Sequence, residues 1–275
     1  MSFFSRIGDN FRQQGALTQV IIVNVAVFLT VNVVGNLSHL GLEEYMALPL
    51  TGEVFITRFW TLFTYMFTHA DFWHLFWNML LFYFLSQVFF IIFQQKRLLY
   101  VYIMSGLAGG ALVLMMGLLF PSQFEFSRLL GASAAVLGVG AVMAVYTPNY
   151  RVNLFGVFEM AYKYFFMIIF ILNTIIDLSI NTGGKISHMG GTAFGLLYGY
   201  YLKNGRDFLD FSFFKRKSKL KVVSHNPAYK APSSPKPGGS DEQRMNALLD
   251  KISKSGYDSL TKSEKEELFR LSQKK

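Results

Sequence analysis

Charged side chains are scarce in six long stretches of this chain, at about residues 18–36, 72–93, 98–120, 129–147, 161–180 and 187–203. They crowd instead into the segments between those stretches and after the last. Crossing about 30 Å of hydrocarbon takes roughly 20 mostly apolar residues in helical form. The pattern therefore predicts an all-α membrane protein with six transmembrane helices. Pro121 ends the third span and Pro148 the fourth, because proline cannot continue a helix through its own position. The turn Gln94-Gln95-Lys96-Arg97 is short, so spans two and three are expected to be antiparallel neighbours. Residues 37–71 are too many for a hairpin. With Pro49, Gly52, Tyr45, Phe55, Phe59 and Trp60 they read as a partly buried loop lying in the outer leaflet.

The pattern changes after residue 204. Asn226-Pro227 through Gly239 is rich in Pro, Ser and Gly and reads as a flexible linker. Two short helices are expected beyond it. Ser240 or Asp241 caps the first, Met245, Leu248, Leu249 and Ile252 form its apolar stripe, and Gly256 ends it. Thr261-Lys262-Ser263-Glu264 reads as a capping box for the second. The expected organisation is a cytoplasmic N-terminal segment (1–17), a six-span membrane domain (18–204), a basic and Pro/Gly-rich linker (205–240) and a short helical cytoplasmic tail (241–275). The tail reads equally as a site for a protein partner and as a solvated appendage.

Composition agrees with a membrane assignment: of 275 residues 52% are hydrophobic and only 16% charged, with mean hydropathy +0.33. Charge then sets orientation. With six spans both termini share one side, which holds Arg6, Arg12, Lys96, Arg97, Arg151, Lys163, Lys203 and all the later cations. The other side holds only Arg58, Arg128 and Lys185, so the positive-inside rule puts both termini in the cytoplasm. Most of the +9 net charge lies in the tail, and the cluster Lys215–Lys221 is expected against anionic inner-leaflet lipid rather than nucleic acid. Arg6 and Arg12 precede the first apolar run as in a signal peptide. The run is long, however, and no small-x-small cleavage site follows it, so it reads as a retained span. Cysteine is absent, which excludes disulfides and thiolate metal sites.

Against this apolar background a few polar residues stand out, because such groups at membrane depth cost free energy. Ser133 lies in the run Leu129–Gly138 and His188 in Ile186–Gly191. These are the nucleophile and base types of a serine hydrolase: the hydroxyl is almost wholly protonated at neutral pH and needs an imidazole to take its proton. His74 and Asn78 begin the second span four residues apart, on one helical face. All four fall at the start of even-numbered spans, within roughly 10 Å of the external interface at about 1.5 Å per residue. His74, Asn78 and the Ser133 backbone N–H form a candidate oxyanion site. Gly191, Gly195 and Gly199 repeat along one face of the sixth span. The fourth span offers Gly131, Ala135 and Gly138, which predicts close packing of the two.

Gly131-Ala132-Ser133-Ala134 resembles the GxSx motif of the rhomboid intramembrane serine proteases, bacterial type. His74-Leu75-Phe76-Trp77-Asn78 is similar to their HxxxN, and His188 through Gly195 resembles their sixth-span histidine with its small residues. Phe63 through Ala70, with His69, is similar to the family's stretch leading into the second span. The resemblance covers about residues 18–203. It implies a six-transmembrane rhomboid-like bundle carrying a Ser133–His188 dyad, with oxyanion donors from His74, Asn78 and the Ser133 amide. His69, Gly131, Gly191 and Gly195 take structural roles. It further implies transmembrane protein substrates, a bacterial inner membrane, and no metal or organic cofactor. Ala134, Leu137, Phe90 and Thr61 depart from residues common in the family, without removing a reacting group.

Other readings use the same residues differently. His69, His74 and His188 as metal ligands lack an accompanying carboxylate or cysteine, and a spacing of five takes His69 and His74 off a common helical face. Asp177 is a candidate acid behind His188, although a cap for its own helix accounts for it as well. A catalytically silent relative would bind membrane helices without cutting them. A transporter would show repeats or broken helices that this sequence lacks. For a substrate helix, lateral access between spans two and five past Trp73, Phe76, Trp77, Phe165 and Phe166 is expected.

Overall fold

The computed structural model describes residues 11, 13–124, 127–154, 156–176, 181–207 and 240–273. The chain divides into two units, residues 1–211 and 212–275. The first unit is mostly helical, and a main helix occupies each of the six apolar stretches. α1 runs from Ala16 to Leu37 and contains a π turn at Leu29–Val34. The segment after α1 then folds into α2 (Leu42–Met46), β1 (Leu48–Pro49), α3 (Gly52–Thr57) and α4 (Thr61–Thr64). α5 spans Phe72–Phe90, α6 Gln95–Leu119 and α7 Pro121–Phe124. β2 (Arg128–Leu129) leads to α8 (Ser133–Tyr146). The hairpin β3 (Arg151–Leu154) and β4 (Phe158–Ala161) leads to α9 (Tyr162–Thr174), and α10 is Thr182–Lys203.

Two of these, Ala16–Leu37 and Gln95–Leu119, are long and apolar enough by themselves to cross a bilayer. The others differ from the expected spans for local reasons. α8 begins at Ser133 rather than 129 because Gly131 takes φ +118° and breaks any helix there. Its 14 residues extend about 21 Å, less than a bilayer's depth. α10 begins at Thr182 rather than 187 because the Asn181 carboxamide caps it, accepting from Gly184 N–H at 2.8 Å. α9 ends at Thr174, and residues 177–180 of the expected fifth span, including Asp177, lie outside the described residues.

α8 is the axis of the first unit: every residue from Ala134 to Met143 is buried, and α5, α6, α9 and α10 pack around it. The small-residue pairing with α10 holds, in a shifted register. A Cβ on Gly191, Gly195 or Gly199 would meet the carbonyl oxygens of Ala134, Gly138 and Val142 at 2.2, 2.2 and 2.7 Å. Ala135 faces Gly106 of α6 instead, and Gly131 faces His74. Polar residues of α1 tie it to its neighbours. Asn24 donates to Tyr102 Oη of α6 at 3.2 Å, and Asn32 donates to the His69 carbonyl at 2.8 Å.

The segment between α1 and α5 is a folded element rather than a loose loop. β1 pairs antiparallel with β2, Leu48 opposite Leu129 and Pro49 opposite Arg128. Trp60 Nε1 donates to the Tyr45 carbonyl and Thr64 Oγ1 to that of Met46. Its inner side, Leu48, Leu50, Tyr65 and Met66, is fully buried, whereas Ile56 and Phe59 are exposed.

In the second unit, α11 (Asp241–Ser255) and α12 (Lys262–Ser272) form a hairpin on a small core of Leu248, Leu260 and Leu271. Both helices start with reciprocal capping boxes, Ser240 with Gln243 and Thr261 with Glu264. The first cap is thus Ser240 and not Asp241. Gly256 ends α11. The juxtamembrane cluster Lys215–Lys221 and the Pro/Gly-rich segment lie outside the described residues.

Candidate active site

Each of the four polar residues is delivered by the start of a helix or the turn beyond it. Asp71 caps α5, its Oδ1 accepting from His74 N–H at 2.9 Å, which places His74 in the first turn and Asn78 one turn below. Gly131 N–H donates to the Tyr65 carbonyl at 3.0 Å, holding the strand that leads into α8. Ser133 is the first residue of α8, with its N–H among the unsatisfied donors at the positive end of the helix dipole. His188 lies three residues before Gly191, where α10 packs closely on α8.

The result is a direct contact. His188 Nε2 lies 2.6 Å from Ser133 Oγ. The other ring nitrogen, Nδ1, faces the Asn173 carbonyl at 3.1 Å and Thr174 Oγ1 at 3.4 Å. A carbonyl only accepts, so the proton sits on Nδ1 and Nε2 is left with its lone pair toward the serine. That is the tautomer a base requires. The imidazole is 9% exposed.

A cavity of about 450 Å³ opens over this pair, lined among others by Trp73, His74, Asn78, Leu137, Asn173 and His188. The His74 Nδ1 accepts from Ala70 N–H at 3.4 Å. Its proton therefore lies on Nε2, which points toward Gly131, 2.7 Å from where a Cβ would stand. Gly131 thus has two reasons to be glycine: a positive φ and the imidazole beside it. Asn78 uses one amide hydrogen on the His74 carbonyl at 2.8 Å, leaving a second for the cavity.

His69 is fully buried outside the cavity, its ring edge-on to that of His74 with centroids 5.1 Å apart. Burial, and then the neighbouring His74, push its pKa down to about 3, so it is a neutral packing element at any physiological pH. Among the described residues no three His, Cys, Asp or Glu side chains are grouped to hold a metal.

One expectation needs correction. Phe166 is buried at 4% exposure and fills the notch over Gly140, so it is a core residue and not movable bulk at an opening. Trp73, Phe76 and Trp77 are exposed as expected, Phe165 is half-buried against the core, and α5 and α9 make little packing contact with each other. The described groups behind His188, the Asn173 carbonyl and the Thr174 hydroxyl, come from α9, and the candidate acid Asp177 lies outside the described residues. A backbone carbonyl has no sequence signature. Thr174, buried one turn above Phe170, was the only legible signal.

Leu137 lines the cavity, Ala134 is buried against α10, and Phe90 packs on the core at the end of α5. Buried Thr61 donates to the Arg58 carbonyl at 2.6 Å.

Residues 57–205, just over half of the chain, match the Rhomboid domain family. Residues 239–274 match a family of unknown function (DUF6576). No curated protein matches the chain. The membrane unit, with its buried α8 and the polar cluster at that helix's start, is therefore that of an integral membrane protein, and the chain belongs to the rhomboid family.

Proposed function

We propose that this chain is an intramembrane serine endopeptidase that cuts peptide bonds in or near transmembrane segments of other membrane proteins. The observation that carries the reading is the 2.6 Å contact between His188 Nε2 and Ser133 Oγ, with Nδ1 held on the Asn173 carbonyl. A packing serine needs no imidazole on its hydroxyl, and a packing histidine needs no fixed tautomer.

In the proposed reaction Ser133 Oγ attacks the scissile carbonyl carbon while its proton passes to His188 Nε2. The carbonyl π pair moves onto oxygen, and the oxyanion is held by the Ser133 N–H, His74 Nε2–H and an Asn78 amide hydrogen. One such donor is worth about 10²–10³ in rate. Collapse breaks the C–N bond as His188 protonates the leaving amine, leaving an acyl ester on Ser133. Water, deprotonated by His188, hydrolyses that ester and restores the hydroxyl. Asn173 and Thr174 act as positioning groups. No cofactor enters these steps.

In this reading all six main helices cross the membrane, with both termini in the cytoplasm of a bacterial inner membrane, as the distribution of Lys and Arg favours. Residues 1–17 form the cytoplasmic N-terminal segment and 18–204 the membrane domain. Residues 205–240 are linker and 241–275 the cytoplasmic tail, to which no partner is assigned. A substrate helix approaches between α5 and α9, past the exposed Trp73, Phe76 and Trp77. It unwinds locally, because a helix hides its carbonyls from Ser133. The test is turnover of a model transmembrane substrate by reconstituted wild type and its Ser133→Ala and His188→Ala variants. Substrate binding by wild type without turnover would replace the proposal with the silent, helix-binding reading.

A further inference from the structure

The hairpin β3–β4 joins α8 to α9 at the end of the molecule opposite Ser133, and the candidate site makes no use of it. Its register pairs Arg151 with Ala161, Val152 with Met160, Asn153 with Glu159 and Leu154 with Phe158. Cross-strand partners share a face and neighbours alternate. One face therefore carries Arg151, Asn153 and Glu159, and the other Val152, Met160 and Phe158. Val152 packs against the core, but further out the apolar face has no cover among the described residues: Phe158 is 67% exposed and Val157, beside the left-handed Gly156, is 74% exposed.

Exposed apolar side chains on the main helices are accounted for by lipid tails. On the six-span reading proposed above, this hairpin lies beyond the helix ends Tyr146 and Tyr162, where the bilayer gives way to headgroups and water. An isolated two-stranded hairpin is marginal in water and needs something to pack against. The surrounding residues indicate what. Tyr150 and Tyr164 are exposed at its base, Lys163 lies 5.0 Å over the Tyr164 ring, and a cleft of about 390 Å³ is lined by Arg151, Lys163, Asn149 and Glu159. Cations and tyrosines bordering an apolar face are the composition of an interfacial anchor.

We propose that the β3–β4 hairpin is a membrane-surface anchor. Its apolar face and the Val157–Phe158 tip sit at the acyl–headgroup boundary, while Arg151 and Lys163 face anionic lipid phosphates. The base of the hairpin is tied to both helices, Tyr162 N–H donating to the Tyr150 carbonyl at 2.8 Å and Lys163 N–H to that of Pro148 at 3.1 Å. Lipid held there fixes the start of α9, whose other end carries Asn173 and Thr174.

The chain has no cysteine, so single nitroxide labels can be placed without background. Val157→Cys and Phe158→Cys are compared with Asn153→Cys, in the full-length protein reconstituted into phosphatidylcholine bilayers with and without phosphatidylglycerol. At 157 and 158 collisions with oxygen should exceed those with a water-soluble nickel chelate several-fold. At 153 the order should reverse, and phosphatidylglycerol should strengthen the contrast. Nickel access at 157 and 158 equal to that at 153 would overturn the anchor. Shielding from both reagents would also overturn it, and would place protein rather than lipid over the tip.

Discussion

Gly191 approaches Ala134 so closely that a single added methyl would stand 2.2 Å from the Ala134 carbonyl oxygen. Ala134 follows Ser133 directly, and His188 lies one helical turn before Gly191, so this contact sets the spacing of the two functional side chains. Gly191→Ala must push α10 away from α8, at an overpacking cost of typically about 1–3 kcal/mol. The expected result is a lower unfolding temperature together with a fluorophosphonate labelling rate reduced at least tenfold. Unchanged labelling would mean that the helix contact does not set the dyad.

Gly131 makes a separate prediction. Its φ of +118° and the His74 Nε2 at 2.7 Å from any Cβ both oppose a side chain. Gly131→Ala should turn the His74 ring away and cost kcat about 10²-fold, the value of one oxyanion donor. KM for a transmembrane substrate should change little. A loss confined to KM would assign Gly131 to substrate binding instead.

Behind the histidine, Thr174 Oγ1 lies 3.4 Å from Nδ1. Thr174→Val keeps the shape and removes the hydroxyl, at a cost of about 1 kcal/mol, or roughly fivefold in kcat. If the hydroxyl positions the imidazole, the acid limb of the kcat/KM profile shifts and Thr174→Ser restores it. A purely structural role would lower the unfolding temperature and leave the pH profile in place.

The tail carries a pH dependence of its own. Its paired Lys251 ammonium, and then the Thr261 N–H and hydroxyl, hold the Glu264 carboxyl down from 4.5 to about 2. A depressed folded value means that its contribution is complete above the unfolded value and is lost as pH falls from about 4.5 toward 2. Hydrogen exchange of the α11 and α12 amides, corrected for intrinsic rate, should therefore show protection falling through that window. Glu264→Gln should flatten the dependence. An identical fall in that variant would place the titration elsewhere.

Much of this architecture was written in local pattern. The charge-poor runs located six helices, the GxxxGxxxG spacing of α10 announced the close packing on α8, and the tail caps were narrowed to Ser240 or Asp241 for the first helix and Thr261 for the second. His74, Asn78, Ser133 and His188 stood out because polar groups are costly in oil. Tertiary relationships were not legible. The β1–β2 pair joins residues some eighty positions apart through backbone alone. Phe166 reads as one more lipid-facing aromatic until Gly140 opens a notch for it. The β3–β4 strands are four residues each, too short for alternation to register against the apolar spans on either side.

The central claim is that Ser133, activated by His188, is a nucleophile. Its most direct measurement is the site of fluorophosphonate attachment in the reconstituted protein, mapped by peptide mass spectrometry alongside cleavage of a model transmembrane substrate. The account predicts a single adduct on Ser133 and substrate turnover by wild type, with both abolished in Ser133→Ala and in His188→Ala. Cleavage that persists in Ser133→Ala, or an adduct on another residue, would contradict it.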